Sequence, residues 1–162
     1  MNPPATTQSW LTAARDPTIV AQLESIYAQC AIAIENRAPT CWASGRCCNF
    51  KATGHLLYVT GLEAAYAVTR LTPAHPSLTQ QALTEAIASG GCPFQINNTC
   101  GIHTIKPLGC RIYFCDKSSQ DWQHDLSETP LTSIRALHDQ HHLDYRYGEW
   151  RIMLNALLLA EK

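Results

Sequence analysis

The segment Cys41-Trp42-Ala43-Ser44-Gly45-Arg46-Cys47-Cys48 places three thiols within eight residues, and Cys92, Cys100, Cys110 and Cys115 follow after about forty residues without cysteine. Seven of the eight cysteines therefore fall in two clusters, and any fold has to place both of them. We read the clusters as the two halves of one metal site. Thiolates hold Zn²⁺ and iron–sulfur clusters because both accept soft sulfur donors in tetrahedral arrangements. Such ligands must converge, so they sit in turns and at helix starts. Gly45, Gly91, Pro93, Gly101, Pro107 and Gly109 lie beside these cysteines and supply the turns.

Compartment bears on this reading. The opening residues Met1 to Gln8 hold no positive charge and no apolar run, so they are not expected to act as a secretory signal. The longest apolar patch, Met153 to Ala160, is broken by Asn155 and falls short of the roughly twenty residues of a membrane helix. The expected location is the cytoplasm. In a reducing compartment clustered thiols bind metal or do redox chemistry more often than they form disulfides. Three other readings are ordinary buried cysteines, disulfides in an exported chain, and metal-free redox thiols built on vicinal Cys47-Cys48. The tight clustering argues against the first, and the second needs an exported chain. No isolated CxxC pair supports the third.

With 162 residues, 46% of them apolar and 15% charged, the chain can build one domain around a hydrophobic core. A formal net charge of −1 leaves no basic field for a phosphate backbone, so no nucleic acid partner is expected, and no membrane. The whole chain, 1–162, is expected to be a single mainly helical domain with a short β-hairpin, organised around a cysteine-ligated metal site. Within it, 1–15 is expected to be a loose N-terminus, 41–115 the metal-binding core and 120–162 the C-terminal helices.

Asp16 as N-cap and Pro17 at the first helical position predict a helix to about residue 36, with Ile19, Val20, Leu23, Ile26, Tyr27, Cys30 and Ile34 at helical spacing. Cys30, the eighth cysteine, lies in that stripe and reads as a buried small hydrophobe. His55 to Thr60 reads as a short extended run. Thr60 with Glu63 forms a capping box for a helix to about Arg70. Ser77 or Thr79 starts another helix, ended by Gly90-Gly91. Asn97-Asn98-Thr99 is a hairpin turn between Cys92-Pro93-Phe94 and Cys100-Gly101. A short helix is expected from Lys106-Pro107 through Cys110 to Phe114. After a polar linker, Lys117 to Asp121, helices are expected over about 130–145 and 149–161.

These words resemble a known family, the YkgJ-type cysteine-cluster proteins, which are described as zinc- or iron-chelating domains and are related to the flagellin lysine N-methylases. That family's signature is CxxCxxCC, then a Cys-Pro-Phe hairpin to a further cysteine, then Arg-Pro-x-x-Cys-Arg. Cys41, Ser44, Cys47 and Cys48 fall on the first word, with Ser44 in place of its second cysteine. Cys92-Pro93-Phe94 with Cys100-Gly101-Ile102 falls on the hairpin, and Lys106-Pro107-Leu108-Gly109-Cys110-Arg111 on the last word, with Lys for Arg at its start. The resemblance covers about residues 41 to 115. We take Cys47, Cys48, Cys92, Cys100 and Cys110 as the core of the site, with Cys41 and Cys115 next, Cys115 being an additional thiol just beyond the last word. Cys115 could replace the thiolate lost at Ser44. On a continuous helix, though, it would lie about 140° from Cys110, so both could serve one centre only through a helix break or a large cluster. Seven thiols exceed the four that one tetrahedral ion takes, which favours an iron–sulfur cluster over zinc.

Around this core, Arg111 is a candidate cation beside the thiolates, and His103 a candidate ligand three residues from Cys100. His138 and His142, at i and i+4, read as a solvated helix face. Trp42, Trp122 and Trp150 read as core or cluster shielding, since no basic groove accompanies them. The expected function is metal binding, with a redox or sensor role. Two alternatives stay open: a metal-dependent protein-modifying enzyme of the flagellin lysine methylase type, and a zinc-stapled interaction module. No catalytic residue is assigned.

Overall fold

Asp16 starts the first long element as its sequence requires: its carboxylate accepts the amides of Thr18 at 2.8 Å and Ile19 at 3.3 Å, and α2 runs Pro17–Glu35. Its buried face is Ile19, Leu23, Tyr27 and Cys30, so Cys30 is a core residue. The computed structural model describes residues 5–39, 45–114 and 119–161. Cys41, Trp42, Ser44 and Cys115 lie outside the described residues, and with them the expectations attached to those positions.

Ahead of α2 stands α1, Ala5–Ala13. The expected loose N-terminus is thus corrected from residue 5 onward. Trp10 and Leu11 are 2% and 1% exposed, and burying such side chains stabilises a fold by about 1.5–3 kcal/mol each. The indole N–H of Trp10 also donates to the carbonyl of Asp144 at 2.9 Å. Gly61 permits this docking, since a Cβ there would lie 2.2 Å from the Trp10 ring.

The remaining elements follow in order: a 3₁₀ turn Arg46–Cys48, α3 Phe50–Thr53, β1 Tyr58–Thr60, α4 Gly61–Thr69, α5 Gln80–Ser89, β2 Gln95–Ile96, β3 Thr99–Cys100, α6 Leu108–Ile112, α7 Gln120–Gln140, β4 Tyr147–Glu149 and α8 Trp150–Ala160. The architecture is mainly helical, with α2 packed on α7, α1 on α4 and α4 on α8. Among the described residues no helix is long and apolar enough to cross a membrane.

Two small antiparallel pairs stand among the described residues, one between distant segments and one a local hairpin. β1 pairs with β4 in the register Tyr58↔Glu149, Thr60↔Tyr147, and β2 pairs with β3 across Asn97-Asn98, both of which have positive φ. A single bridge, Asn49↔Gly91, ties the first cysteine segment to the second.

The expected start of a helix near residue 130 is also corrected. α7 begins at Gln120 and passes through Pro130, so Gln120 and Asp121 belong to the helix and not to a linker. A helix-interior proline costs one hydrogen bond and some crowding. Here the proline is buried, and the packing of α7 on α2 and α6 outweighs that cost. His138 is likewise not on a solvated face. It is fully buried on α7, with Nδ1 at 3.1 Å from the carbonyl of Asp144 and no hydrogen-bond partner for Nε2. His142, with φ 53°, is past the helix end and exposed.

Candidate metal centre

Three segments carry the described thiols to one place. The first is the 3₁₀ turn that bears Cys47 and Cys48. Gly45 precedes it at φ 70°, in the left-handed region that glycine tolerates. The glycine carbonyl accepts Gln95 Nε2 at 3.0 Å, and a Cβ there would meet the carbonyl oxygen of Asn98 at 2.7 Å. The turn therefore sits directly on the β2–β3 hairpin. The second segment is that hairpin with its approach. Cys92 donates its amide to the carbonyl of Cys48 at 3.0 Å, and Lys51 donates to the carbonyl of Gly90 at 3.0 Å. Gly101 closes the far strand, its amide on the carbonyl of Phe94 at 2.8 Å, which fixes Cys100.

The third segment is α6, which brings Cys110. Its placement depends on Glu63, a carboxylate only 1% exposed. Glu63 Oε2 accepts the amide and hydroxyl of Thr60 at 3.0 and 2.9 Å, completing the capping box of α4. Glu63 Oε1 accepts the amide of Leu108 at 2.8 Å and the Tyr27 hydroxyl at 3.2 Å. One carboxylate thus caps two helices, and the second of them carries Cys110. The capping box was legible in the sequence; the long-range bond to Leu108 had no local signal.

Cys48 is the hub of the thiol group. Its side chain faces those of Cys100, Cys47 and Cys92 at close range, and these sulfurs hold its proton on. The single S–H of Cys48 can be donated to one of these sulfurs at a time, and its nearness brings Cys47 and Cys100 down to about 6 and lowers Cys92 as well. Cys110 is pushed up by burial and by the charge that develops on Cys92 and Cys100. The structure thus gathers Cys47, Cys48, Cys92, Cys100 and Cys110. Cys47, Cys92 and Cys100 face Cys48 directly, and Cys110 lies within reach of their charge; among the described residues no group of three or more His, Cys, Asp or Glu side chains is already arranged to hold a metal ion.

The nearby cation is Lys106 and not Arg111. Lys106 favours the thiolate forms of Cys47, Cys100 and Cys110. Arg111 turns away: its guanidinium lies 4.0 Å from the centre of the Tyr27 ring, and it donates to the carbonyls of Lys106 and Thr104 at 2.8 and 3.1 Å. His103 is exposed, with Nε2 at 3.2 Å from Lys106 Nζ, and that neighbouring charge lowers its pKa.

Two residues at the start of α8 back the site, and one of them, Arg151, carried no sequence signal. Arg151 is held by Glu149 at 2.9 Å and reaches the carbonyl of Gly91 at 3.4 Å. Trp150 is fully buried against Phe94, ring centres 5.9 Å apart, and its backbone amide donates to the carbonyl of Leu57 at 2.8 Å. The indole N–H has no partner of good hydrogen-bonding geometry, yet it faces Cys92 closely enough to favour its thiolate. A buried donor aimed at sulfur gains a full acceptor when that sulfur is a metal-bound thiolate. On donor chemistry and on this orphaned N–H, the residues fit a thiolate-bound metal.

No family model, curated protein or solved structure matches the chain.

Proposed function

We propose that the chain holds a metal centre through the thiolates of Cys47, Cys48, Cys92, Cys100 and Cys110, with Cys41 and Cys115 as further ligands. The cofactor proposed is an iron–sulfur cluster, with zinc as the alternative, in the manner of the YkgJ-type proteins that the sequence resembles. The observation that carries this reading is the approach of Cys47, Cys92 and Cys100 to Cys48, with Cys110 of a third segment within reach of their charge. Seven clustered thiols exceed the needs of one tetrahedral ion.

A cluster supplies one-electron transfer, and zinc a structural cross-link. The chain supplies the rest. Cys47 and Cys100 are thiolate-prone near neutral pH, whereas Cys48 and Cys110 would have to lose a proton on ligation. Lys106 would offset part of the negative charge of such a site, and the Trp150 N–H, which faces Cys92 from the buried side, would gain a thiolate acceptor. A redox or sensor role follows from such a centre. A protein-modifying enzyme is the second reading, favoured by a cavity of about 260 Å³ on the other flank of α6.

The test is elemental analysis with acid-labile sulfide and a visible spectrum on anaerobically purified protein. Iron, sulfide and broad absorbance at roughly 400 nm support the cluster. Colourless protein with stoichiometric zinc moves the assignment to a structural site, and protein free of both metals overturns the reading.

A further inference from the structure

The cavity beside α6 is not part of the thiol group, although Leu108, Gly109 and Ile112 of the same helix line it. It has a chemistry of its own. Tyr58 and Tyr147 form one wall, diagonal neighbours across the β1–β4 pair with ring centres 5.8 Å apart and planes at 34°. His55 stacks on Tyr113 at 5.1 Å to form another. Glu63 lies at the floor. Its four hydrogen bonds come from Thr60, Tyr27 and Leu108, all neutral donors, so its charge is solvated but not neutralised by them.

The described residues that line the cavity include this one carboxylate and no Lys or Arg. Arg111 lies at the Tyr27 ring, outside the lining. His124, also in the lining, is exposed and pairs with Glu128 at 3.4 Å. Aromatic faces around a buried negative charge form an environment that attracts a cation through ring quadrupoles and through the field of the carboxylate. The volume, about 260 Å³, lies near the lower end of small-molecule sites and suits a headgroup better than an extended ligand.

We infer that this cavity binds an organic ammonium group of about the size of choline, with Tyr58 and Tyr147 against the alkylated nitrogen and Glu63 supplying the charge. The inference is independent of whether the thiols hold a metal.

The experiment is a calorimetric titration of the full chain with choline chloride at constant ionic strength. It is run at pH 8, above the ordinary histidine range. The comparison ligand is 3,3-dimethylbutan-1-ol, which has the same shape without the charge. Choline is expected to bind at least about tenfold more tightly than the alcohol. Tyr58→Ala and Tyr147→Ala should each weaken it by at least about threefold, while Tyr58→Phe, which keeps the ring, should not. Both tyrosines are about half exposed, at 45% and 49%, so their replacement leaves the core intact, and circular dichroism checks this. Absence of choline binding, equal binding of the neutral alcohol, or binding unchanged by both alanine variants would each overturn the assignment.

Discussion

The carboxylate of Glu63 accepts the amide of Leu108 at 2.8 Å across 45 residues of sequence, and Cys110 rides on the helix that this bond starts. Two consequences follow from one side chain: α4 and α6 share a cap, and the position of one thiol depends on a carboxylate that is not itself in the thiol group. Glu63→Gln would turn an amide N–H toward backbone donors, leaving buried groups unpaired. It is expected to destabilise the fold by about 2–4 kcal/mol in urea unfolding. A change under about 0.5 kcal/mol would show that the double cap carries no weight.

The thiol assignment separates along the chain. Cys48→Ser removes the hub and Cys110→Ser the α6 ligand, and each is expected to abolish metal retention measured after gel filtration with a chelator. Cys30 is 4% exposed in the core stripe of α2. Cys30→Ser is expected to keep the metal and to lose about 1–3 kcal/mol of stability, because a hydroxyl is buried there. Full retention after Cys48→Ser would remove the basis of the site.

Trp150→Phe keeps a ring against Phe94 and deletes the N–H that faces Cys92, together with part of the buried indole. Without metal the fold is expected to lose about 1–3 kcal/mol from the space left in the core, and nothing from the donor, which has no partner of good geometry. With metal bound, a sulfur loses a hydrogen bond. The expected readout is a roughly 10-fold or larger loss of metal affinity in competition with a chromophoric chelator. Unchanged affinity would place Trp150 among ordinary core residues.

Gly45 tests how closely the first thiol turn must approach the hairpin. Gly45→Ala meets both a left-handed φ of 70° and a backbone oxygen 2.7 Å from the new Cβ. Destabilisation of about 1–3 kcal/mol is expected, together with a faster loss of metal to chelator. Gly54 serves as a control. It also has positive φ but open space around it, so Gly54→Ala is expected to cost less and to leave metal loss unchanged.

His138 gives the fold a pH dependence. Burial lowers its pKa from the ordinary 6.5, and a second ring proton would find no acceptor at Nε2. The unfolded chain therefore takes up this proton first as pH falls. The stability contributed is complete above about 6.5 and declines below it, by at most about 1.4 kcal/mol per pH unit from this group, until the folded-state value is passed. Urea midpoints at pH 7.5 and 5.5 measure the slope, and His138→Leu is expected to flatten it.

Elements with local punctuation were legible. Asp16-Pro17, Thr60 with Glu63, Thr79 with Gly90, and Asn97-Asn98 each mark an end or a turn by chemistry within a few residues, and the structure has α2, α4, α5 and the hairpin there. What was not legible depends on partners far along the chain. α1 carries few apolar residues, and its order comes from Trp10 docking at Gly61 and Asp144. β4 is three residues long and exists through β1. Pro130 reads locally as a helix start, whereas burial against neighbouring helices carries α7 through it. The same holds around the thiols. Their clustering is written in the sequence, but the choice of Lys106 over Arg111 as the nearby cation is made by the direction in which α6 leaves its cap.

The bridge between Asn49 and Gly91 has a topological consequence. Everything from α3 through α5 forms a lariat of about forty residues, fastened at its neck by a few backbone hydrogen bonds, with Cys48 and Cys92 on either side of the knot. A ligand that joins those two sulfurs ties the neck. By loop-closure entropy such a tie is worth about 4 kcal/mol to the folded chain, drawn from the unfolded one. The noose encloses Tyr58 and Glu63, so two residues that line the aromatic cavity lie inside the loop that such a tie would close.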